Sequence, residues 1–157
     1  MALVRILVDG FSLMHSWPEL APGKPRHASV VRDELINRLT QYHDACGTPI
    51  TIVFDGAGSK REVAETAPAT VTGVEILYSR AGQTADRLIE QAAYRLKDYG
   101  EVLVVTDDFA ERETVSSFGA AASSCQNFIQ TVESELAELE RELLAYNQKE
   151  RAKFRTS

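Results

Sequence analysis

Cysteine is scarce. The 157 residues hold two, Cys46 and Cys125, with no C-x-x-C pair. That excludes a disulfide framework and a zinc signature, and it predicts buried free thiols in a reducing compartment. The three histidines, His15, His27 and His43, lack metal-ligand spacing. Long apolar runs are missing as well, and none nears the roughly 20 residues of a membrane span. The short apolar start, broken by Arg5 and Asp9, does not read as a signal peptide. A cytoplasmic protein with no membrane contact is the expectation. There is no excess of positive charge either: 17 Lys and Arg stand against 23 Asp and Glu, a formal net charge of −6. The chain therefore lacks the broad basic field of many nucleic-acid binders. A carboxylate cluster that binds cations would also make a nuclease acidic, so RNA stays open as a partner.

Three phosphate or acyl chemistries lose their signatures. No G-x-G-x-x-G follows the first apolar run, there is no Walker A lysine loop, and no G-x-S-x-G elbow occurs. Phe11 stands two positions after Asp9, where a haloacid-dehalogenase-like phosphatase carries a second aspartate.

What is present is a series of short, continuously apolar runs. Val4 to Val8, Ile50 to Phe54 and Val102 to Val105 read as strands, and Val74 to Tyr78 as a more mixed one. Continuous Val/Ile runs suit parallel strands covered on both faces. Helical spacing lies between them. Ser29 to Cys46 puts Val31, Leu35, Leu39 and Tyr42 on one face, with Ile36 and His43 beside it, and Gly47 at its end. Thr84 to Tyr99 spaces Leu88, Ala92 and Leu96 helically before Gly100. The order predicts a three-layer α/β domain with a mainly parallel central sheet. Pro18 to Pro25 and Gly56 to Gly73 read as connections, the second long enough to suggest function.

After Ser123-Ser124, a helix is expected from Cys125 to about Lys149. Ile129, Val132, Leu136, Leu139, Leu143 and Tyr146 form a narrow apolar seam among glutamates. Two uses stay open: packing back on its own domain, or pairing with a second copy.

Acids fall at the ends of the strands. Asp9 follows Val8, Asp55 follows Phe54, and Asp107-Asp108 follow Val105-Thr106. Asp86 opens the helix after the remaining strand. In parallel α/β sheets ligands bind at the carboxyl ends of strands, so these acids should converge. Each also has a local explanation. Asp86 lies in the first turn of a helix capped by Thr84. Asp108 with Glu111 spells a capping box. Asp55-Gly56 is a turn pair. Together they are more than caps require. Packed carboxylates repel unless a cation neutralises them, and all-oxygen ligands suit Mg2+ or Mn2+. That is the layout of metal-dependent phosphodiester hydrolysis.

These residues carry a family resemblance. VDGFSLMHSWPEL, IVFDG, QTADRLIE and VVTDDFAER resemble the successive motifs of the YacP-like NYN-domain family of PIN-like nucleases, in the same order across nearly the whole chain. The resemblance implies a three-layer PIN-like (Rossmann-like) fold. It divides the chain into a domain at 1–125 and a C-terminal helix and tail at 126–157. It further implies metal-dependent endoribonuclease activity, the best known branch acting on mRNA at the ribosome. By position it makes Asp9, Asp86 and Asp108 catalytic metal ligands, with Asp55 and Asp107 as further ligands. Ser12, Thr84 and Thr106 stand in support. Two positions depart from the family pattern: V-D-G-Y-N has Phe11 and Ser12 here, and T-A-D-E has Arg87. They predict a single, weakly held ion rather than a tight pair.

RNA contact would fall to Lys60, Arg61, Arg80 and Arg87, which lie in loops or helix starts near the acids. Trp17 could stack on a base or close the core, with the core favoured. A monomer is the expected state. Two alternatives to the nuclease remain: a PIN-like module that holds RNA or the ribosome without cutting, and a protein-interaction domain that uses the tail helix.

Overall fold

The first apolar run becomes the central strand. In the computed structural model, which describes residues 3–56 and 73–156, β1 spans Leu3–Asp9. It pairs in parallel with β2, Ile50–Phe54, on one side and β4, Glu101–Val105, on the other. β3, Val74–Tyr78, flanks β2. A fifth strand, β5 (Ala121–Ser123), flanks β4. The sheet order is β3-β2-β1-β4-β5, and every pairing is parallel. β5 escaped sequence reading because three small residues carry no strand pattern.

Alternation along the strands divides the core in two. Ile6 and Val8 of β1 join Ile50, Ile52 and Phe54 on one face. Leu7 and Val53 point to the other, with Val102 and Val104. The first face is covered by α2, Ser29–Cys46, through Val31, Leu35, Leu39 and Tyr42. Its carboxyl end stops at Gly47, whose φ of 77° few other residues adopt without strain. The second face is covered by α3, Ala85–Leu96, and α4, Phe109–Ser117. On α3 the deepest residues are Ala85, Ile89 and Ala93, with Leu88, Ala92 and Leu96 beside them. The predicted stripe was therefore the flank of the buried face. The layers are helix, sheet, helix, as the composition of the strands required.

A short helix not expected from the sequence, α1 (Gly10–Ser16), leaves β1 directly. Its Leu13 and Met14 enter the first core, followed by Trp17, which is fully buried. The Arg38 guanidinium lies over the Trp17 ring at 5.4 Å. Trp17 is thus a core residue and presents no face to a base. Both cysteines are free, but only Cys125 is buried, while Cys46 is exposed at the end of α2.

The last helix, α5, runs Cys125–Thr156, a full two turns beyond the expected end. Phe128, Ile129 and Val132 are buried in the first core, and Leu136 packs at its edge. Further along, Leu143 and Tyr146 are exposed. The seam therefore splits, its first half packing in cis. Among the described residues, no helix is long and apolar enough to cross a membrane.

Candidate metal centre

The strand-to-helix junctions of β1 and β4, and the start of α3, meet at the carboxyl edge of the sheet. At the first junction Asp9 is both the last residue of β1 and the N-cap of α1. Its Oδ1 accepts from the Ser12 amide at 3.3 Å, and its Oδ2 from the Ser12 hydroxyl at 3.0 Å. The buried Thr106 hydroxyl donates to Asp9 Oδ2 at 3.4 Å. Serine at position 12 therefore reaches the carboxylate through both its amide and its hydroxyl. The next position must be glycine. A Cβ on Gly10 would lie 2.4 Å from Cε1 of the buried Phe54 ring. That close approach is why the apolar run breaks at Asp9-Gly10.

Asp86 enters from the first turn of α3, whose N-cap is Thr84. The Thr84 hydroxyl accepts from the Arg87 amide at 3.2 Å. The third carboxylate comes from α4. Glu111 is buried at 3 % exposure, and neither of its carboxylate oxygens has a hydrogen-bond partner among the described residues. One oxygen each from Asp9, Asp86 and Glu111 lie within 4.8 Å of one another.

The electrostatics follow from this crowding. Burial raises the Asp9 carboxyl above its ordinary range; Ser12 and Thr106 oppose the shift, and the Asp86 charge adds to it. Burial likewise pushes Glu111 up to about 9, assisted by its contact with Asp86 and by the charges of Asp86 and Asp9. Two ionised carboxylates have no donor between them. A protonated Glu111 would supply one, in line with the raised value.

The other expected acids are not members of this group. Asp108 caps α4, its Oδ1 accepting from the Glu111 amide at 3.2 Å. Its own amide donates to Thr106 Oγ1 at 3.1 Å. In a complete capping box the glutamate would reach back to that amide. Here Thr106 takes the amide, and Glu111 turns inward. The D-x-x-E segment thus sends its glutamate, not its aspartate, to the cluster. Asp107 ties three elements together: Oδ1 accepts from the Cys125 amide at 2.9 Å, and Oδ2 from the Ser16 hydroxyl at 2.6 Å. Burial works against its charge, but those bonds and the Arg112 charge hold its carboxyl below the usual range. Asp55 is exposed at the end of β2 and accepts from the Ser79 hydroxyl at 3.1 Å. Arg80 and Arg87 are exposed, while Lys60 and Arg61 lie outside the described residues.

The donor set fits a hard divalent cation: three carboxylates, oxygen only, with one buried and lacking any donor among the described residues. Sequence reading missed Glu111 by assigning it to the cap. The available signal was its place one turn before Val115, on the buried face of α4.

The family described as "YacP-like NYN domain" matches residues 6–157. The protein YacP of Bacillus subtilis (strain 168) is 28% identical over 140 residues, covering 87% of this chain and 79% of that protein. The crystal structure of Rae1 (YacP) from Bacillus subtilis superposes with a TM-score of 0.71 at 25% identity, covering 97% of this chain and 85% of that one. A tryptophan-to-leucine variant of the same protein gives 0.72 at 25% identity, over 91% and 82%.

Proposed function

The chain belongs to the YacP-like NYN domain family, whose members are generally nucleases, and on that premise we propose that it is a Mg2+- or Mn2+-dependent endoribonuclease. The observation that carries the reading is the trio of buried Asp9 and Glu111 with half-buried Asp86 at the carboxyl edge of the sheet. These oxygens would hold a divalent ion, which would supply an activated water and charge for the leaving oxygen of a phosphodiester.

The chain's own residues prepare that site. Ser12 and Thr106 fix the Asp9 carboxylate by donating to it, which favours its charged form. Glu111 holds a proton in the absence of a cation and releases it when one binds. Asp108 and Asp107 hold the starts of α4 and α5, and so set where Glu111 sits. They act as positioning residues. Arg80 and Arg87 are exposed at the same edge and suit contacts to phosphate. The substrate class is RNA, extending to mRNA on the ribosome, and the setting is the cytoplasm.

The test is cleavage of RNA with Mn2+, with Mg2+ and with chelator, using wild type, Asp9→Asn and Glu111→Gln. Cleavage that needs the ion and falls at least ~100-fold in both variants supports the reading. Cleavage unaffected by chelator removes it. A second reading rests on Arg87, a cation next to Asp86 where the family resemblance leads one to expect an acid. Under it the module holds RNA without cutting, and wild type binds RNA but leaves it intact with either ion.

A further inference from the structure

The first turns of α5 carry Cys125, Phe128, Ile129 and Val132 into the core. Past Leu139 the apolar seam continues where no described element covers it. Leu143 is 54 % exposed, Leu144 57 % and Tyr146 61 %. An uncovered apolar row on a rigid helix marks a contact surface.

The charges along the same helix identify what would cover it. From Glu133 to Glu142 there are five glutamates and one arginine. From Lys149 to Arg155 there are four cations and one glutamate. The helix dipole accounts for Lys153 and Arg155 in the last turn, but it does not reach Lys149, Arg151 or the acidic block. The first turn of α5 carries no acid, and the acidic block begins beyond it. Intrahelical pairing uses part of the charge, through Arg141 to Glu138 and Lys153 to Glu150. Glu140, Glu142, Lys149 and Arg151 are left outside those pairs.

Turned antiparallel against itself, the helix is its own complement. A two-fold axis between Ala145 and Tyr146 sets Glu142 opposite Lys149 of the second copy, and Glu140 opposite its Arg151. Each pair then occurs twice, and the Leu143 and Tyr146 side chains meet across the axis. A shallow groove between α2 and α5 extends the match. Four carboxylates line it, Glu34, Asp44, Glu133 and Glu140, against one guanidinium, Arg38, and its apolar floor is made of α5 leucines. Its charge is opposite to that of the basic end that would reach it.

We propose that the distal half of α5 is the interface of a homodimer, pairing antiparallel with a second copy so that each basic end lies along the other's acidic groove. The proposal is independent of the nuclease reading.

Sedimentation velocity of the full chain over a wide concentration range tests it. A concentration-dependent dimer that weakens as salt rises is expected, since exposed pairs are screened. Leu143→Glu should weaken association more than about 100-fold, by placing a carboxylate from each copy in the seam. Its circular dichroism should match wild type, and so should its urea midpoint at a concentration where wild type is also monomeric, because Leu143 supports no core in the single chain. The charge variants give a second arm. Glu140→Lys/Glu142→Lys and Lys149→Glu/Arg151→Glu should each be monomeric, yet mixed one-to-one they should form a heterodimer. A wild type monomeric throughout overturns the proposal. So does a dimer that survives Leu143→Glu, or a mixture that fails to pair. A monomer whose Lys149→Glu/Arg151→Glu variant loses RNA binding would instead assign the basic end to RNA.

Discussion

Replacing Glu111 with glutamine separates a functional carboxylate from a structural one. The substitution keeps the shape and removes the charge. In the apo protein the Glu111 carboxyl lies at about 9 against an ordinary 4.5, chiefly because it is buried, and then because Asp86 and Asp9 crowd it. A folded value above the unfolded one means the contribution to stability is full below about pH 4.5. It is lost as pH rises toward the folded value. Wild type should therefore fall behind Glu111→Gln by about 1.4 kcal/mol per pH unit across that window. Between pH 5 and pH 7 the gap should grow by roughly 2–3 kcal/mol, the upper part of that range being reduced by solvent at the site's edge. Urea denaturation of both proteins in chelator, at several pH values, measures the gap and cancels the other titrating groups. Mn2+ supplies the converse arm. At a hundredfold excess over its dissociation constant, an ion that binds only the folded state adds about 2.7 kcal/mol. It should add this to wild type and little to the variant, closing or reversing the order at pH 7. A variant less stable than wild type in chelator at pH 7, or a gap that does not change with pH, would refute the reasoning. Glu111 would then be a satisfied structural carboxylate.

Asp107→Ala removes the acceptor of both the Cys125 amide and the Ser16 hydroxyl, and should lower stability by about 1–2 kcal/mol in urea. Because the Asp107 carboxyl is held low, that advantage of wild type is present at neutral pH and disappears as pH falls through its folded value. Gly10→Ala drives a methyl against the buried Phe54 ring and should cost about 1–3 kcal/mol, with a lower urea midpoint and an unchanged slope. Arg87→Glu adds an acid beside Asp86 and removes a cation from the rim. It should tighten Mn2+ in calorimetry and weaken RNA in filter binding, and no change in either would place Arg87 outside the site's reach.

The sheet was legible because its strands are buried on both faces. Runs such as ILV at 6–8 and ITIVF at 50–54 leave no polar face for water, and only a central parallel strand tolerates that. Short elements were not legible for the same physical reason in reverse. AAS at 121–123 pairs in register with Leu103, Val104 and Val105. Its strand character comes from that neighbour and not from its own side chains. α1 hid in an apolar run that could as well have been a loop. What makes it a helix is a local cap, the Asp9 side chain accepting the Ser12 amide where the strand ends, together with the burial of Leu13 and Met14 in the core.

The same distinction explains the site. That acids should gather at one edge followed from topology alone, since every strand is parallel and every acid trails a strand or opens a helix. Which oxygens meet depended on competition for a single backbone amide. Asp108 and Glu111 are the two ends of one motif, and spacing cannot say which carboxylate is spent on the cap. Thr106 decides it: by accepting the Asp108 amide, its hydroxyl removes the partner Glu111 would have had, while donating to Asp9. A hydroxyl five positions before Glu111, at β4's exit from the sheet, and 97 from Asp9 in sequence, thus couples two members of the trio. Thr106→Val would test that coupling with little change in shape. Freed from Thr106, the Asp108 amide becomes available to the Glu111 carboxylate, and the capping box can close. Glu111 would then rotate away from Asp86, its carboxyl would fall from about 9 toward the ordinary range, and Mn2+ affinity would drop even though all three acids remain. Unchanged Mn2+ affinity in Thr106→Val would mean that Glu111 is held inward by the packing of α4 alone.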